Sequence, residues 1–255
     1  RTLAEMGATQ YACPGVCTWN RWLPLMENSY KNIRVMCRHG QKYHAIGMLN
    51  TDWGDYGHIC HPWLSVPGIL YGAAFSWNAQ EIPFDEINRA ISFLEYGDRS
   101  EAWVSALAQL TDHEVWDWFH AVRWIEEGDA AKQAEILADA HVERVPTEND
   151  AIAAALERLD EAAGQLRPDQ RQLLQAVHTA ADGANILNEI GLYLSREPSP
   201  EQGDALAVRL ENWLYAFLQL WRGVSKETTV RRVQRVVTDY ANVLRGRELP
   251  RNLHP

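Results

Sequence analysis

The spacing of apolar residues divides the chain into two regions that require different folds. From about residue 81 onwards, apolar residues recur at the period of a helix with one buried face. Capping-box patterns at residues 111–114 and 199–202 indicate where two of these helices begin. We therefore predict that residues 81–255 form an α-helical C-terminal domain, organised as a bundle.

The first region, residues 1–80, has the pattern strand, helix, strand, helix. Two short apolar runs, 8–13 and 44–50, are too brief for helices, and helical spacing follows them at 26–39 and 66–77. Such alternation is typical of neighbouring parallel strands, whose functional loops follow the carboxyl ends of the strands.

Two parallel strands with bare edges leave hydrogen-bonding groups unpaired, and a closed (β/α)8 barrel needs eight strands and typically ~250 residues. We therefore predict that residues 1–80 are the C-terminal portion of a (β/α)8 catalytic barrel, with the rest of the barrel upstream. The predicted fold class is thus α/β plus all-α: the last strands and helices of a TIM barrel, followed by a helical bundle.

Charge and hydropathy argue against two broad classes of partner. The chain carries a net charge of −10, whereas nucleic-acid binders need clustered positive charge, so we predict no nucleic-acid partner. No run approaches the roughly 18 consecutive apolar residues that a spanning helix requires, so we predict no membrane role. The four cysteines are too sparse for a disulfide scaffold and favour reduced thiols, as in the cytoplasm, without fixing the compartment.

The densest group of functional side chains lies directly after the second predicted strand, within residues 50–58. Gly54 and Gly57 allow the backbone to turn sharply between these side chains. An indole can stack on the C–H face of a sugar ring while a carboxylate accepts hydrogen bonds from its hydroxyls. A tight loop whose aromatic residues pack on neighbouring structure is the alternative, and composition alone slightly favours it. The side chains concerned are Asp52, Trp53, Asp55, Tyr56 and His58.

Three stretches of the first region resemble glycoside hydrolase family 20, the β-N-acetylhexosaminidases and their close relatives. The stretches GMLNTDWGDYGH at residues 47–58 and PGILYGAAFSW at 67–77 look like the end of that family's barrel. CPGVCTWN, at residues 13–20, resembles the loop after its seventh strand. The resemblance covers roughly residues 8–78, and a weaker one around 220–227 relates the helical region to an extension in some bacterial members.

This resemblance implies roles for individual residues in binding a carbohydrate with a terminal N-acetylhexosamine. Trp53 would be the platform under the terminal sugar, and Asp55 would accept hydrogen bonds from its hydroxyls. At the position of Asp55, most of the family has Glu, whose side chain is longer. Trp19 would lie near the acetamido group, where much of the family has Tyr. Asp52 and His58 are further candidates for substrate binding.

The implied reaction is the removal of terminal β-linked N-acetylhexosamine by substrate-assisted retaining catalysis. In the family, an Asp–Glu pair after the fourth strand orients the acetamido group and acts as acid and base. No matching site occurs here, and Asp85 and Glu86 fit the first turn of a helix better. We therefore predict no catalytic residue in this chain, no cofactor and no metal.

Two alternatives from other classes stay open. One is a non-catalytic carbohydrate-binding or helical interaction module, because the amphipathic helices could dock partners. The other is a small metal site. Structural zinc sites usually have two closely spaced pairs of cysteines, and the sequence has one such pair, Cys13 and Cys17. The other candidate ligands are Cys37, His39, His58, Cys60 and His61.

Overall fold

The computed structural model describes residues 2–78, 80–197 and 199–248. It is 67% helical and 3% strand, so the predicted fold class is wrong: the chain is mainly α-helical, and its described part contains no TIM barrel. Within the described ranges, strands are confined to two short segments, residues 11–16 and 47–52, while the other apolar segments follow the helical period and bury their faces against one another. The helices of the first region are α1 (Thr2–Glu5), α2 (Met26–Lys42) and α3 (Val66–Trp77).

The helices that follow make up most of the molecule. None of the helices in the described ranges is both long and apolar enough to cross a membrane. They are α4 (Phe84–Leu94), α5 (Trp103–Leu110), α6 (Trp118–Glu126), α7 (Ala130–Ala140), α8 (Val145–Ala163), α9 (Gln172–Leu194), α10 (Pro200–Arg222) and α11 (Arg231–Leu244).

The two strand segments pair in parallel, as the strand–helix alternation predicts. β1 (Tyr11–Ala12) pairs with β3 (Gly47–Met48), and β2 (Gly15–Val16) pairs with β4 (Thr51–Asp52). Pro14 lies between β1 and β2 and has no N–H to donate, which interrupts the ladder. Its carbonyl still accepts the N–H of Thr51 at 2.9 Å, so both pairs belong to one parallel ribbon.

Helix α3 lies directly on this ribbon because two of its residues have no side chain. A Cβ at Gly68 would lie 2.5 Å from Cγ1 of Val16, and a Cβ at Gly72 would overlap the side-chain amide of Asn50. That amide donates a hydrogen bond to the carbonyl of Gly68 at 3.1 Å. The other predicted helix of this region extends beyond residue 39, the end of its predicted range, as far as Lys42.

Of the two predicted capping boxes, the one at residues 199–202 coincides with a helix start. Ser199 is the N-cap of α10, and its side chain accepts from the N–H of Gln202. The box at residues 111–114 is wrong, because α5 ends at Leu110 and the next helix, α6, begins after Asp117. Asp117 is the N-cap and accepts from the N–H of His120 at 3.0 Å. Glu114 therefore caps no helix, and its carboxylate accepts backbone N–H groups from the first region.

The strand ribbon and the helices share one hydrophobic core, in which Trp22 is central. Trp22 is 1% exposed, and one cluster of buried residues extends from Val16 to Leu244. Its ring centroid lies 5.5 Å from that of Trp118 on α6 and 4.6 Å from that of Trp213 on α10, both edge to face. The loop after β2 is therefore packed into the helical region.

Replacing Trp22 by Ala should lower the free energy of unfolding by about 3–5 kcal/mol, because it leaves a large cavity in this core. Trp77→Ala is the matched control, since Trp77 is 92% exposed at the end of α3 and its loss should cost no more than about 0.5 kcal/mol. Urea unfolding followed by circular dichroism measures both values. Equal destabilisation by the two substitutions would contradict the central place of Trp22.

Candidate functional site

The predicted site residues lie at the carboxyl ends of β2 and β4, where the two following loops leave the ribbon on the same side. Asp52, the last residue of β4, accepts the hydroxyl hydrogen of Thr18, which lies just past β2. The same hydroxyl oxygen is 3.4 Å from the carbonyl oxygen of Trp53. Thr18 is buried, so it ties the second loop to the first.

Trp53 is the exposed aromatic residue of this site. Its side chain is 59% exposed, while seven of the other tryptophans are buried in the core. Asp55, two residues later, is exposed at the tip of the loop, and the neighbouring Asp52 is exposed as well. Trp53 and Asp55, to which the resemblance assigned the sugar ring and its hydroxyls, and the further candidate Asp52 thus lie on one short, solvent-facing stretch.

The tip of this loop has the sharp turns that the sequence predicted. Tyr56 and Gly57 have φ angles of 55° and 92°, both in the left-handed region. At Gly54 a Cβ would lie 2.5 Å from the Cβ of His58, so only glycine fits there. His58 is half-buried, with its ring centroid 6.2 Å from that of Trp221, and therefore faces the helices more than the solvent.

Trp19 lies on the first loop and borders a small pocket. Its ring covers Gly15, where a Cβ would lie 3.1 Å from Cζ3 of the indole. The pocket has a volume of about 260 Å³, and its other walls include Phe119 and the charged side chains of Arg21 and Asp117. Because Thr18 joins this loop to Asp52, the pocket lies beside the predicted sugar site.

Arg21 and Glu114 form a charged group that the sequence analysis missed. The Arg21 guanidinium lies 3.5 Å from a carboxylate oxygen of Asp117 and 4.0 Å from one of Glu114. Glu114 is 8% exposed and accepts the backbone N–H groups of Trp22 at 3.1 Å and Leu23 at 2.9 Å. Burial raises the pKa of Glu114 to about 7, although Arg21 and these N–H groups oppose the rise.

Asp117 also organises His120. It accepts from Nδ1 of the imidazole at 2.7 Å, and Asp139 lies 3.5 Å from Nε2 on the other side. Burial opposes protonation of His120, but the hydrogen bonds and charges of these two carboxylates outweigh it, so its pKa is raised. The only local signal for this arrangement is the spacing of Asp117 and His120, three residues apart at a helix start.

The candidate metal ligands do not come together in the described part of the chain. Among the described residues, no group of three or more His, Cys, Asp or Glu side chains is placed to hold a metal ion. Cys13 is exposed, and Cys17, Cys37 and Cys60 are buried free thiols. Burial raises the pKa of Cys60 well above its ordinary value and lowers that of His61 to about 4. Cys60 is therefore held as the thiol, which is a poor ligand.

Comparisons with known proteins leave the family open. The chain matches no family model, no curated protein and no solved structure. The resemblance to glycoside hydrolase family 20 therefore stays a prediction that depends on the motifs quoted above.

Glu114 should make stability depend on pH. Its pKa is higher in the folded state than the ordinary value of 4.5, so the folded chain binds this proton more tightly. Stability should therefore fall by up to roughly 3 kcal/mol as the pH rises from about 4.5 to about 7. Glu114→Gln keeps an acceptor oxygen for the backbone N–H groups and should remove this part of the decline.

Urea unfolding at a series of pH values between 4.5 and 8 tests this expectation. The control is Glu157→Gln, an exposed position on α8, which should keep the wild-type profile. A Glu114→Gln profile that parallels the wild type throughout this range would show that Glu114 is ionised at an ordinary pH.

Proposed function

We propose that Trp53, Asp52 and Asp55 bind the terminal N-acetylhexosamine of a β-linked glycan. In this proposal the chain is the substrate-binding part of a β-N-acetylhexosaminidase-like glycoside hydrolase. The observation that carries the proposal is the 59% exposure of the Trp53 indole at the carboxyl ends of parallel strands, beside two exposed carboxylates. An apolar ring is costly to leave in water, and a sugar face covers it while keeping the hydroxyls free to bind acceptors.

Asp52 is suited to bind hydroxyls because its position is already fixed. Thr18 donates to Oδ1 of Asp52, and the residue remains exposed, so Oδ2 can accept a hydrogen bond from a ligand. A carboxylate that is held before the ligand arrives loses less conformational entropy on binding. Asp55 on the loop tip supplies a second acceptor two residues beyond Trp53.

The pocket beside Trp19 suits the acetamido group. An acetamido group has a methyl, a carbonyl acceptor and an N–H donor. The aromatic rings of Trp19 and Phe119 can contact the methyl, while Arg21 and Asp117 offer a donor and an acceptor. The volume of about 260 Å³ accommodates a substituent of this size. We assign the acetamido group to this pocket, which agrees with the role that the resemblance implies for Trp19.

The proposal gives this chain a role in binding and none in bond cleavage. Substrate-assisted hydrolysis needs an Asp–Glu pair, and Asp85 and Glu86 are exposed in the first turn of α4, where they complement the helix dipole. We place the catalytic pair outside these 255 residues. The terminal sugar would be bound here while that pair acts on the glycosidic bond.

The full 255-residue chain should bind N,N′-diacetylchitobiose with a Kd in the millimolar range, about −4 kcal/mol. Trp53→Ala should weaken this affinity about tenfold, because it removes the stacking surface. Trp77→Ala is the matched control, since Trp77 is even more exposed but lies at the far end of α3. Isothermal titration calorimetry or ligand-observed NMR measures the affinities. Equal affinity of Trp53→Ala and wild type would refute the platform.

The acetamido pocket has its own test. Cellobiose, which lacks the acetamido groups, should bind at least about tenfold more weakly than N,N′-diacetylchitobiose. Equal affinity for the two disaccharides would instead favour a general carbohydrate-binding module, which is the alternative from the sequence.

The purified chain should also release no aryl alcohol from aryl β-N-acetylglucosaminide or galactosaminide, because it lacks the acid–base pair. The measurement is a fluorescent release assay at high protein concentration. Any turnover that co-purifies with the chain and survives further purification would show that this chain itself carries the catalytic residues.

A further inference from the structure

The tip of the sugar-binding loop, residues 53–58, is held by helices of the other region. The carbonyl oxygen of Tyr56 accepts the indole N–H of Trp118 on α6 at 3.1 Å. The phenol ring of Tyr56 lies edge to face against Phe119, with 5.8 Å between the ring centroids. Both contacts come from the first turn of α6, so the strands are not what fixes this end of the loop.

A cation on α11 also lies over this ring. Cζ of Arg232 lies 4.8 Å from the centroid of Tyr56, within the range of a cation–π interaction. Arg232 is itself oriented by Glu126 of α6, which accepts from Nε at 3.0 Å and also from Nη2. Such a two-point pairing fixes the plane of the guanidinium as well as its position.

The backbone of Tyr56 shows why this support matters. Its φ angle of 55° is in the left-handed region, which glycine adopts readily but which is unfavourable for a bulky residue such as tyrosine. A residue stays in such a conformation only when its surroundings hold it there. The hydrogen bond from Trp118 and the packing of Phe119 and Arg232 on the ring are the contacts that do so.

We propose that Arg232, oriented by Glu126, is a positioning residue for the sugar site. It acts through Tyr56, whose conformation sets the path of the loop and so the orientation of Trp53 and Asp55. The helical region thereby controls the affinity of the strand-end site for its ligand. The part that concerns sugar binding rests on the proposed function, whereas the contact itself does not.

The chain offers a matched control in Arg235. Both arginines pair with Glu126, but among the described contacts only Arg232 lies over the Tyr56 ring. Arg232→Gln should speed hydrogen exchange of the amides of residues 54–58 and weaken binding of N,N′-diacetylchitobiose by about threefold to tenfold. Arg235→Gln should lose an equivalent ion pair while leaving both the loop exchange and the sugar affinity at wild-type values.

Variants of Tyr56 provide a second pair that does not change any ion pair. Tyr56→Phe keeps the aromatic face and should match the wild type, whereas Tyr56→Leu removes it and should behave like Arg232→Gln. Hydrogen exchange measured by mass spectrometry without sugar reads the loop directly. The midpoint of thermal unfolding should be similar for Arg232→Gln and Arg235→Gln, and similar for Tyr56→Leu and Tyr56→Phe. This comparison separates positioning from a general loss of stability.

The outcomes separate the two proposals. Loop exchange that is the same in Arg232→Gln and Arg235→Gln would overturn the positioning role, whatever the sugar affinity. Faster exchange with an unchanged sugar affinity would overturn its connection to the site. If the wild-type chain binds no amino sugar, the proposed function fails, and the exchange of residues 54–58 still decides whether Arg232 holds the loop.

Discussion

The packing of Trp22 is the interaction on which the arrangement of this molecule depends. The residue belongs to the loop after β2, yet its ring is enclosed by Trp118 and Trp213 of the helical region. Glu114 reinforces the same place, because it accepts the backbone N–H of Trp22. A strand-end loop that is anchored in this way cannot move independently of the helices. The candidate site is therefore built jointly by both regions, with Arg21 and Trp19 on the loop and Asp117 and Phe119 on the helix side.

Local sequence patterns predicted most of the secondary structure but not how the helices and strands pack together. Helical spacing and the cap at Ser199 follow from residues that are close in sequence. The parallel pairing of the two strand segments follows from the alternation of strand and helix along the chain. The barrel did not follow, because it was inferred from the bare edges of two strands and from the need to bury them. Here the helices supply much of that burial: α3 lies on the ribbon at Gly68 and Gly72, and Trp22 inserts into the core. The capping box at 111–114 was wrong for a related reason, since Glu114 binds backbone groups 91 and 92 residues away.

The candidate site shows the same division between local and distant information. The sequence placed Trp53, Asp52 and Asp55 on one loop; the sharp turn at Gly57 is present, and Gly54 allows a close approach to His58. It did not show that Thr18 would join Asp52 to the loop of Trp19, because that contact spans 34 residues. Nor did it give Tyr56 a role, since the residues that contact its ring come from α6 and α11. His58 was expected to face a ligand, but its ring lies toward Trp221.

The close approach of α3 to the strand ribbon has a consequence for how this chain tolerates change. Gly68 and Gly72 lie on a helix with no ligand-facing side chain in the proposal, and both would be judged neutral from their distance to the sugar. Yet a single methyl group at either position has to displace the helix or the side chain of Val16 or Asn50. Val16 belongs to β2 and Asn50 directly precedes β4, the two strands that lead to Thr18 and Asp52. Under the proposed function, substitutions at Gly68 and Gly72 would alter sugar binding from a distance, and a survey confined to residues 53–58 would miss this effect.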